Sequence, residues 1–246
     1  MLGKRRKKTD LPAVCAVIVA AGSSRRMGRE NKLLLEIDGV PVLARTLSAF
    51  QKCAAIRDIV LVCREQDIMP YTELAKAFSI DKLCTVTRGG ETRTESVLAG
   101  ITAAPENAVL VAVHDGARPL ISPDLIAHTI ATLKGNIDCD GAVVAHPAVD
   151  TLKVVENGVI VGTPDRRVFW NAQTPQVFRA GIYRRAHASA LSDGFMGTDD
   201  SSLIERLGGR VLVVEGKRDN IKLTVPEDYL MLAAAVRTNY MKGAEE

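Results

Sequence analysis

Basic side chains crowd the segment that directly follows the first long apolar run of the sequence. The run ends at Gly22, and the eleven residues from Gly22 to Lys32 include Arg25, Arg26 and Arg29. A glycine lets the backbone approach a ligand closely, and exposed backbone N–H groups bind phosphate oxygens. Four cationic groups suit three phosphates better than the two of a dinucleotide. We therefore expect this segment to bind a nucleoside triphosphate; a solvated basic loop is the alternative interpretation.

The glycine spacing of this segment excludes two common phosphate-binding motifs. Ser24 stands where the dinucleotide fingerprint G-x-G-x-x-G has its second glycine, and the next glycine comes only at Gly28. No G-K-[ST] sequence follows, so the segment is not a Walker A loop either.

A carboxylate closes another apolar run, Val109–Asp115. Ligands of open α/β sheets bind beyond the carboxyl ends of the strands, so Asp115 should face the same cleft as the basic segment. Mg²⁺ is usually held by one or two carboxylates together with substrate phosphates, which makes Asp115 a candidate metal ligand. The alternative is an aspartate that caps the following turn. His114 should point to the opposite face and serve as a structural histidine.

Short β-branched runs alternate with helical segments along the chain. This alternation places the basic segment and Asp115 at the ends of predicted strands. Several runs are apolar on both faces, as is typical of strands covered by helices on both sides. The pattern predicts an α/β fold with a doubly wound, mostly parallel sheet. The predicted strands are Ala13–Ala21, Asp58–Cys63, Cys84–Thr87, Val109–Asp115, Gly141–Ala145 and Arg210–Val214. Helices are predicted from Pro41 to about Gln51, after Ser122, from Thr198-Asp199-Asp200 to Gly208-Gly209, and from Pro226.

One segment, residues 151–162, breaks this alternation. It contains two short β runs around Asn157-Gly158, and Asn-Gly is a strong hairpin signal. No helix accompanies it, so we expect a β-hairpin arm, within about residues 147–170, that projects from the sheet.

Composition limits the class of protein. Lys4 to Lys8 carry five positive charges, and removing them from the formal net charge of +3 leaves −2 for the rest. The body of the chain therefore does not resemble a nucleic-acid-binding domain. We expect residues 1–12 to be a disordered basic tail, with a nucleic-acid or membrane-surface contact as alternatives, and residues 13–240 to form one domain. The sequence lacks an apolar stretch long enough to span a membrane. Its five scattered cysteines favour a reducing, cytoplasmic location.

Eight segments in register resemble a known family, the 2-C-methyl-D-erythritol 4-phosphate cytidylyltransferases of the non-mevalonate isoprenoid pathway. The resemblance covers about residues 13 to 235. The segments are Ala20-Ala-Gly…Arg26-Met27-Gly…Lys32, Gly89-Gly90-x-x-Arg93-x-x-Ser96, His114-Asp-Gly-Ala-Arg-Pro119, Asp150-Thr151, Asp165-Arg166, Gln173-Thr-Pro-Gln176, Thr198-Asp199 and Asn220-Ile-Lys222-x-Thr-x-Pro-Glu-Asp228. The sequence departs from the family pattern at Ser24, Asn31, Leu33 and Glu91, where Gly, Pro, Gln and Asp are usual.

The resemblance implies a Rossmann-like sheet of about seven strands with a projecting β-arm, a homodimer with shared active sites, and Mg²⁺ as cofactor. The implied reaction joins CTP and methylerythritol phosphate to give CDP-methylerythritol and pyrophosphate. A sister alditol-phosphate cytidylyltransferase, such as one that makes CDP-ribitol, and a catalytically silent nucleotide-binding regulator are the alternatives.

The resemblance also implies roles for individual residues. Arg26 and Lys32 would stabilise charge on the α- and β-phosphates, Lys222 would contact the α-phosphate, and Asp115 would hold the metal. The implied nucleotide-binding residues are Ala20, Ala21, Gly22, Gly90, Ser96 and Gly116. The implied acceptor-binding residues are Thr151 and Arg166, both reaching the partner subunit's site, together with Arg118, Thr174 and Thr198.

Overall fold

The computed structural model describes residues 13–22 and 31–243. The strands in these residues are β1 (Ala13–Ala20), β2 (Glu36–Ile37), β3 (Val40–Pro41), β4 (Asp58–Cys63), β5 (Leu83–Arg88), β6 (Ala108–Asp115), β7 (Gly141–Pro147), β8 (Val154–Glu156), β9 (Val159–Gly162), β10 (Trp170–Arg179) and β11 (Val211–Glu215). The helices are α1 (Val42–Lys52), α2 (Ile68–Ala77), α3 (Arg93–Ala103), α4 (Pro123–Gly135), α5 (Ala180–Ser192), α6 (Ser201–Arg206) and α7 (Pro226–Gly243). The predictions for the basic tail and for Arg25, Arg26 and Arg29 lie outside the described residues.

A seven-stranded sheet in the order β11-β7-β10-β6-β1-β4-β5 forms the centre of the structure. β1 runs parallel to both β4 and β6, and β11 runs parallel to β7. β10 is antiparallel to both of its neighbours, β6 and β7. The predicted α/β fold with a mostly parallel, doubly wound sheet is therefore confirmed.

Helices cover both faces of this sheet, and β1 shows why its sequence is apolar throughout. Val14 and Ile18 pack in the layer that contains α1, α2, α4 and α7, whereas Cys15 and Val17 pack in the layer that contains α3, α5 and α6. Successive side chains of a strand point to opposite faces, so a strand between two helical layers needs an apolar residue at every position.

The elements predicted from sequence agree closely with those observed. β4 has the predicted bounds, and the helix predicted from Pro41 is α1, in which Leu43, Leu47 and Phe50 are fully buried. α4 begins at Pro123 with Ser122 as its cap, because the Ser122 hydroxyl accepts from the Leu125 amide at 3.2 Å. The sequence analysis did not identify β10 or the helices α2, α3 and α5.

The helix predicted to begin at Thr198-Asp199-Asp200 is α6, which starts at Ser201. Its cap comes from Asp199, whose carboxylate accepts from the Ser202 amide at 3.0 Å.

The predicted hairpin is present as a separate two-stranded sheet of β8 and β9. Asn157 and Gly158 join the strands with φ values of 49° and 81°, the left-handed pair that a tight hairpin turn requires. Five apolar side chains of the arm are exposed: Val154, Val155, Val159, Ile160 and Val161. These side chains form an apolar surface that no other described part of the chain covers.

Two further observations concern the cysteines and membrane-spanning helices. The five cysteines are free thiols, and four of them are buried. Over residues 13–22 and 31–243, no helix is long and apolar enough to cross a membrane.

Candidate functional site

A cavity of about 640 Å³ opens at the carboxyl ends of β1 and β6. This is the edge at which open α/β sheets bind their ligands. The cavity is lined by Val19, Ala20, Ala21, Gly22, Lys32, Leu33, Gly90, Glu91, Thr92, Arg93, Ser96, Asp115, Ala117, Lys222 and Thr224.

Eight residues predicted from sequence line this one cavity. They are Ala20, Ala21, Gly22, Lys32, Gly90, Ser96, Asp115 and Lys222. Because these residues come from segments far apart in the chain, their convergence is a property of the fold and not of the sequence spacing.

The other predicted residues lie elsewhere. Gly116 lies behind the cavity wall, where its amide donates to the Val19 carbonyl at 2.9 Å. Thr198 is exposed and does not line the cavity, and neither do Thr151 and Arg166 of the arm region, which are exposed as well. Arg26 lies outside the described residues.

Asp115, the last residue of β6, is surrounded by cations. Its carboxylate lies 2.9 Å from Lys222 Nζ, 3.3 Å from Arg118 Nε and 3.7 Å from Arg93 Nε. Burial alone would raise the pKa of Asp115, but the attraction of Lys222, Arg93 and Arg118 outweighs it and holds the pKa well below its usual range. Asp115 is therefore an anion at neutral pH.

A buried hydrogen-bond chain fixes the backbone of Asp115 from beneath. The Asp115 amide donates to Thr174 Oγ1 at 3.1 Å, and this hydroxyl lies 2.9 Å from Nδ1 of His114. Nε2 of His114 lies 3.2 Å from the Arg118 carbonyl, which can only accept, so Nε2 carries the proton and Nδ1 accepts from Thr174. Burial lowers the pKa of His114 to about 4 and keeps the ring neutral. The predicted structural histidine thus supports the site from below.

Arg93, at the start of α3, is a cavity residue that the sequence analysis did not assign. It contacts the Asp115 carboxylate and also donates from Nη2 to Asp200 Oδ2 at 2.7 Å. The Tyr183 hydroxyl donates to the other oxygen of Asp200 at 2.8 Å, so a buried carboxylate holds Arg93 in place. One sequence signal for its position was available, because Thr92 and Glu95 form the capping box that starts α3.

The two lysines of the cavity are joined through one short segment. Lys32 Nζ donates to the Leu223 carbonyl at 2.7 Å, and Leu223 follows Lys222 directly. The Leu223 amide donates to the Ala117 carbonyl at 2.8 Å, which ties this segment to the loop after β6. Lys32, Lys222 and Asp115 therefore belong to one connected wall.

A second wall of the cavity contains small residues that pack closely. A Cβ on Gly89 would lie 2.6 Å from Ser96 Oγ and 2.8 Å from the Ala21 side chain, so this position has no room for a larger residue. Ser96 is held in turn by its hydroxyl, which donates to the Thr92 carbonyl at 2.9 Å. The small lining residues of this wall are Ala20, Ala21, Gly22, Gly90 and Ser96, whereas Lys32, Lys222 and Asp115 carry charge.

A cationic, glycine-lined cavity at the carboxyl ends of a mostly parallel sheet suits a protein that binds nucleotide phosphates, and the nucleotidyltransferases are one class of such enzymes. The family model described as IspD, 2-C-methyl-D-erythritol 4-phosphate cytidylyltransferase, matches residues 14–238. The chain belongs to this family.

Individual relatives agree with the family assignment. The 2-C-methyl-D-erythritol 4-phosphate cytidylyltransferase of Geotalea uraniireducens is 43% identical over 230 residues, covering 92% of this chain and 97% of the relative. The enzyme of the same name from Bacillus licheniformis is 42% identical over 219 residues, covering 89% and 93%.

Solved structures show the same fold. The 4-diphosphocytidyl-2C-methyl-D-erythritol synthase of Anaerococcus prevotii superimposes with a TM-score of 0.81 at 30% identity, covering 92% of this chain and 98% of that chain. The 2-C-methyl-D-erythritol 4-phosphate cytidylyltransferase of Thermus thermophilus superimposes with a TM-score of 0.74 at 30% identity, covering 90% and 98%.

Proposed function

We propose that this chain transfers the cytidylyl group of CTP to 2-C-methyl-D-erythritol 4-phosphate, a step of isoprenoid precursor synthesis by the non-mevalonate pathway. An oxygen of the acceptor phosphate forms a bond to the α-phosphorus of CTP, and the bond from that phosphorus to the pyrophosphate oxygen breaks. The observation that carries the proposal is the meeting of Lys32, Lys222 and Asp115 in one cavity at the carboxyl edge of the sheet.

The two walls of the cavity suit the two halves of CTP. The wall of Ala20, Ala21, Gly22, Gly90 and Ser96 lets a flat base and a ribose approach the backbone closely. The charged wall receives the triphosphate, because phosphates are bound by cationic groups and exposed N–H groups. Arg26 would add a further cation from the segment outside the described residues.

Charge stabilisation is the main chemical task of these residues. The attacking phosphate oxygen is already an anion and pyrophosphate is a competent leaving group, so no covalent enzyme intermediate is needed. Lys32 and Lys222 would neutralise the charge that develops around the α-phosphorus, and they are preorganised by their contacts with the Leu223 carbonyl and Asp115. Arg93 adds a third cation to the cavity lining.

We propose that Mg²⁺ binds at this site as an ion shared with the substrate. In the part of the chain that the structure describes, no three His, Cys, Asp or Glu side chains are grouped to hold a metal ion. Asp115 offers one ionised carboxylate, and Mg²⁺ is usually held by one or two carboxylates plus substrate phosphates. When bound, Mg²⁺ would neutralise triphosphate charge and assist the departure of pyrophosphate.

The acceptor site is proposed to include the arm of a second subunit. Thr151 and Arg166 do not line the cavity of their own chain, and the exposed apolar side chains of the arm need a covering surface. A symmetric homodimer would cover them and would carry Arg166 to the partner's cavity.

Two other acceptor candidates have positions that favour an indirect role. Arg118 donates to Asp115 and, from Nη1, to the Asn220 carbonyl at 2.7 Å. Thr174 is buried beneath Asp115 with its hydroxyl already engaged. Both residues would act by holding Asp115 in position.

A pyrophosphate-release assay with CTP and a panel of acceptors tests the proposal. We expect turnover with methylerythritol phosphate at a kcat/KM at least a hundredfold above that with ribitol 5-phosphate. A preference for ribitol 5-phosphate would identify the sister activity, and binding of CTP without turnover of any acceptor would identify a silent regulator. Either result would overturn the proposal.

A further inference from the structure

The residue before Lys32 is held by side chains from a different part of the fold. Asn31 Nδ2 donates to the Tyr71 hydroxyl at 2.9 Å and to Asp67 Oδ1 at 3.3 Å. Tyr71 donates back to Asn31 Oδ1 at 3.1 Å. Arg64 donates to both oxygens of Asp67 at 2.6 and 3.2 Å, so the carboxylate that receives Asn31 is itself fixed. Tyr71 is fully buried and Asp67 is 6% exposed, which makes this a rigid support.

Asn31 also fixes the backbone on the far side of Lys32. Its side-chain oxygen accepts from the Leu33 amide at 3.2 Å, and its carbonyl accepts from the Leu34 amide at 2.9 Å. Lys32 thus occupies the second position of a turn whose first residue is an asparagine, the residue type favoured there. Leu33 is buried and its carbonyl accepts from Leu43 at 3.0 Å. The Cα of Lys32 is therefore restrained from both sides.

A rigidly held backbone at Lys32 should help its ammonium group to stabilise the transition state. A lysine side chain is long and flexible, so its ammonium group reaches one phosphate reproducibly only if its backbone is held. Small displacements of a charged group from the reacting atoms lower rates strongly, by up to about a hundredfold for a displacement of about 1 Å. Asn31 hydrogen-bonds to the buried Tyr71–Asp67 pair and directly precedes Lys32. It therefore holds the backbone beside the residue whose ammonium group must be positioned.

We propose that Asn31 is a positioning residue for Lys32, acting through its hydrogen bonds to Tyr71, Asp67 and the Leu33 amide. The inference rests on the proposed function, in which Lys32 contacts the phosphates of CTP. It also accounts for the departure from the family pattern at this position: a proline would supply a rigid backbone by its ring, whereas asparagine supplies rigidity through side-chain hydrogen bonds.

The test is a double-mutant cycle in kcat between Asn31→Ala and Lys32→Ala. We expect Asn31→Ala to lower kcat about tenfold with a smaller change in KM for CTP, and Tyr71→Phe to lower it several-fold. In the Lys32→Ala background, Asn31→Ala should change kcat by less than about twofold, because the group that it positions is gone. Tyr229→Phe is the matched control, since its hydroxyl donates to the Glu36 carbonyl away from the cavity.

A second readout does not depend on activity. Amide hydrogen exchange at Leu33 and Leu34 should rise in Asn31→Ala, while exchange in β4 and thermal stability stay close to those of the Tyr229→Phe control. An unchanged kcat in Asn31→Ala, or an equal loss in the Lys32→Ala background, would overturn the positioning role. If the wild-type protein turns over no acceptor, the proposed function fails, and unchanged exchange at Leu33 and Leu34 would then overturn the inference separately.

Discussion

Lys222 Nζ lies 2.9 Å from Asp115 Oδ2, and the Lys222 side chain remains 39% exposed on the cavity side. An ammonium group has three donors, so a contact with one carboxylate leaves donors for a phosphate. Asp115 thus positions the Lys222 ammonium beside the cavity, in addition to its proposed role as a metal ligand.

Replacing Lys32 should remove a charged contact to the transition state. We expect Lys32→Ala to lower turnover by about 10² to 10³ with little change in thermal stability, because its Nζ reaches a carbonyl at the edge of an open cavity. Pyrophosphate release under saturating substrates measures the effect. Lys134→Ala, an exposed lysine of α4, is the control. A folded Lys32→Ala protein with near-normal turnover would refute the role of this residue.

Activity should depend on Mg²⁺ through Asp115. We expect no turnover in EDTA, full recovery with added Mg²⁺, and at least a tenfold increase in the Mg²⁺ concentration for half-maximal rate in Asp115→Asn. Circular dichroism would show that the variant is folded, and Asp124→Asn on the exposed start of α4 is the control. Undiminished activity in chelator would show that the protein's own cations suffice.

Stability should fall as the pH drops from neutral towards 4. The pKa of His114 is lowered by burial from its ordinary value of 6.5 to about 4, so the unfolded chain binds the proton first. The contribution of neutral His114 to the free energy of unfolding is therefore fully present above pH 6.5. It decreases by about 3 kcal/mol when the pH falls to 4. His187, whose pKa burial also lowers, adds to the same slope, whereas the contribution of Asp115 is lost only below pH 4.

Urea unfolding at several pH values measures this slope. His114→Gln should flatten it, and His128→Gln, at an exposed position of α4, should not. Parallel slopes for the wild type and His114→Gln would contradict a buried neutral histidine at this position.

The proposed shared site makes a complementation experiment decisive. Arg166→Ala and Lys32→Ala should each be nearly inactive as homodimers. After dissociation and reassociation of a mixture, half of the dimers pair one of each, and one of their two sites is intact, so activity should approach about a quarter of normal. Light scattering and a tag on one variant would establish that heterodimers form.

The neighbouring Arg167 provides the matched control for this experiment. It pairs with Asp165 at 2.6 Å and is exposed, so Arg167→Ala should keep its activity. A mixture that stays inactive although heterodimers are present would place Arg166 in the site of its own subunit.

Local sequence patterns were sufficient where local interactions decide the structure. β4 was predicted with its observed bounds because its apolar, β-branched run needs no information from elsewhere. β10 was missed because it contains buried polar residues that a strand pattern does not anticipate. Gln173 donates to the Lys217 carbonyl at 3.0 Å and Gln176 to Asp199 at 2.9 Å. These partners compensate for burial, and nothing in the segment itself reveals them.

The same distinction applies to the site. Lys32 and Asp115 follow from the rule that strands of a parallel sheet carry ligands at their carboxyl ends. The position of Arg93 between two carboxylates depends on Asp200, which is 107 residues further along the chain. A pairing over this distance in sequence depends on how α3, α5 and the start of α6 pack together, and a single sequence does not reveal that packing.

The cavity combines residues at the end of β1 with residues that directly precede α7. Ala20 is the last residue of β1 and Ala21 and Gly22 follow it, whereas Lys222 and Thr224 precede α7. During synthesis on the ribosome, the strands around Asp115 emerge well before Lys222, one of the three cations that contact its carboxylate. A nascent chain shorter than this point has its carboxylate and its glycine-lined wall but lacks part of its phosphate-binding surface. Full affinity for the nucleotide should thus arise only after Lys222 and Thr224 have been synthesised, and retention on immobilised CTP would separate chains that contain both residues from shorter ones.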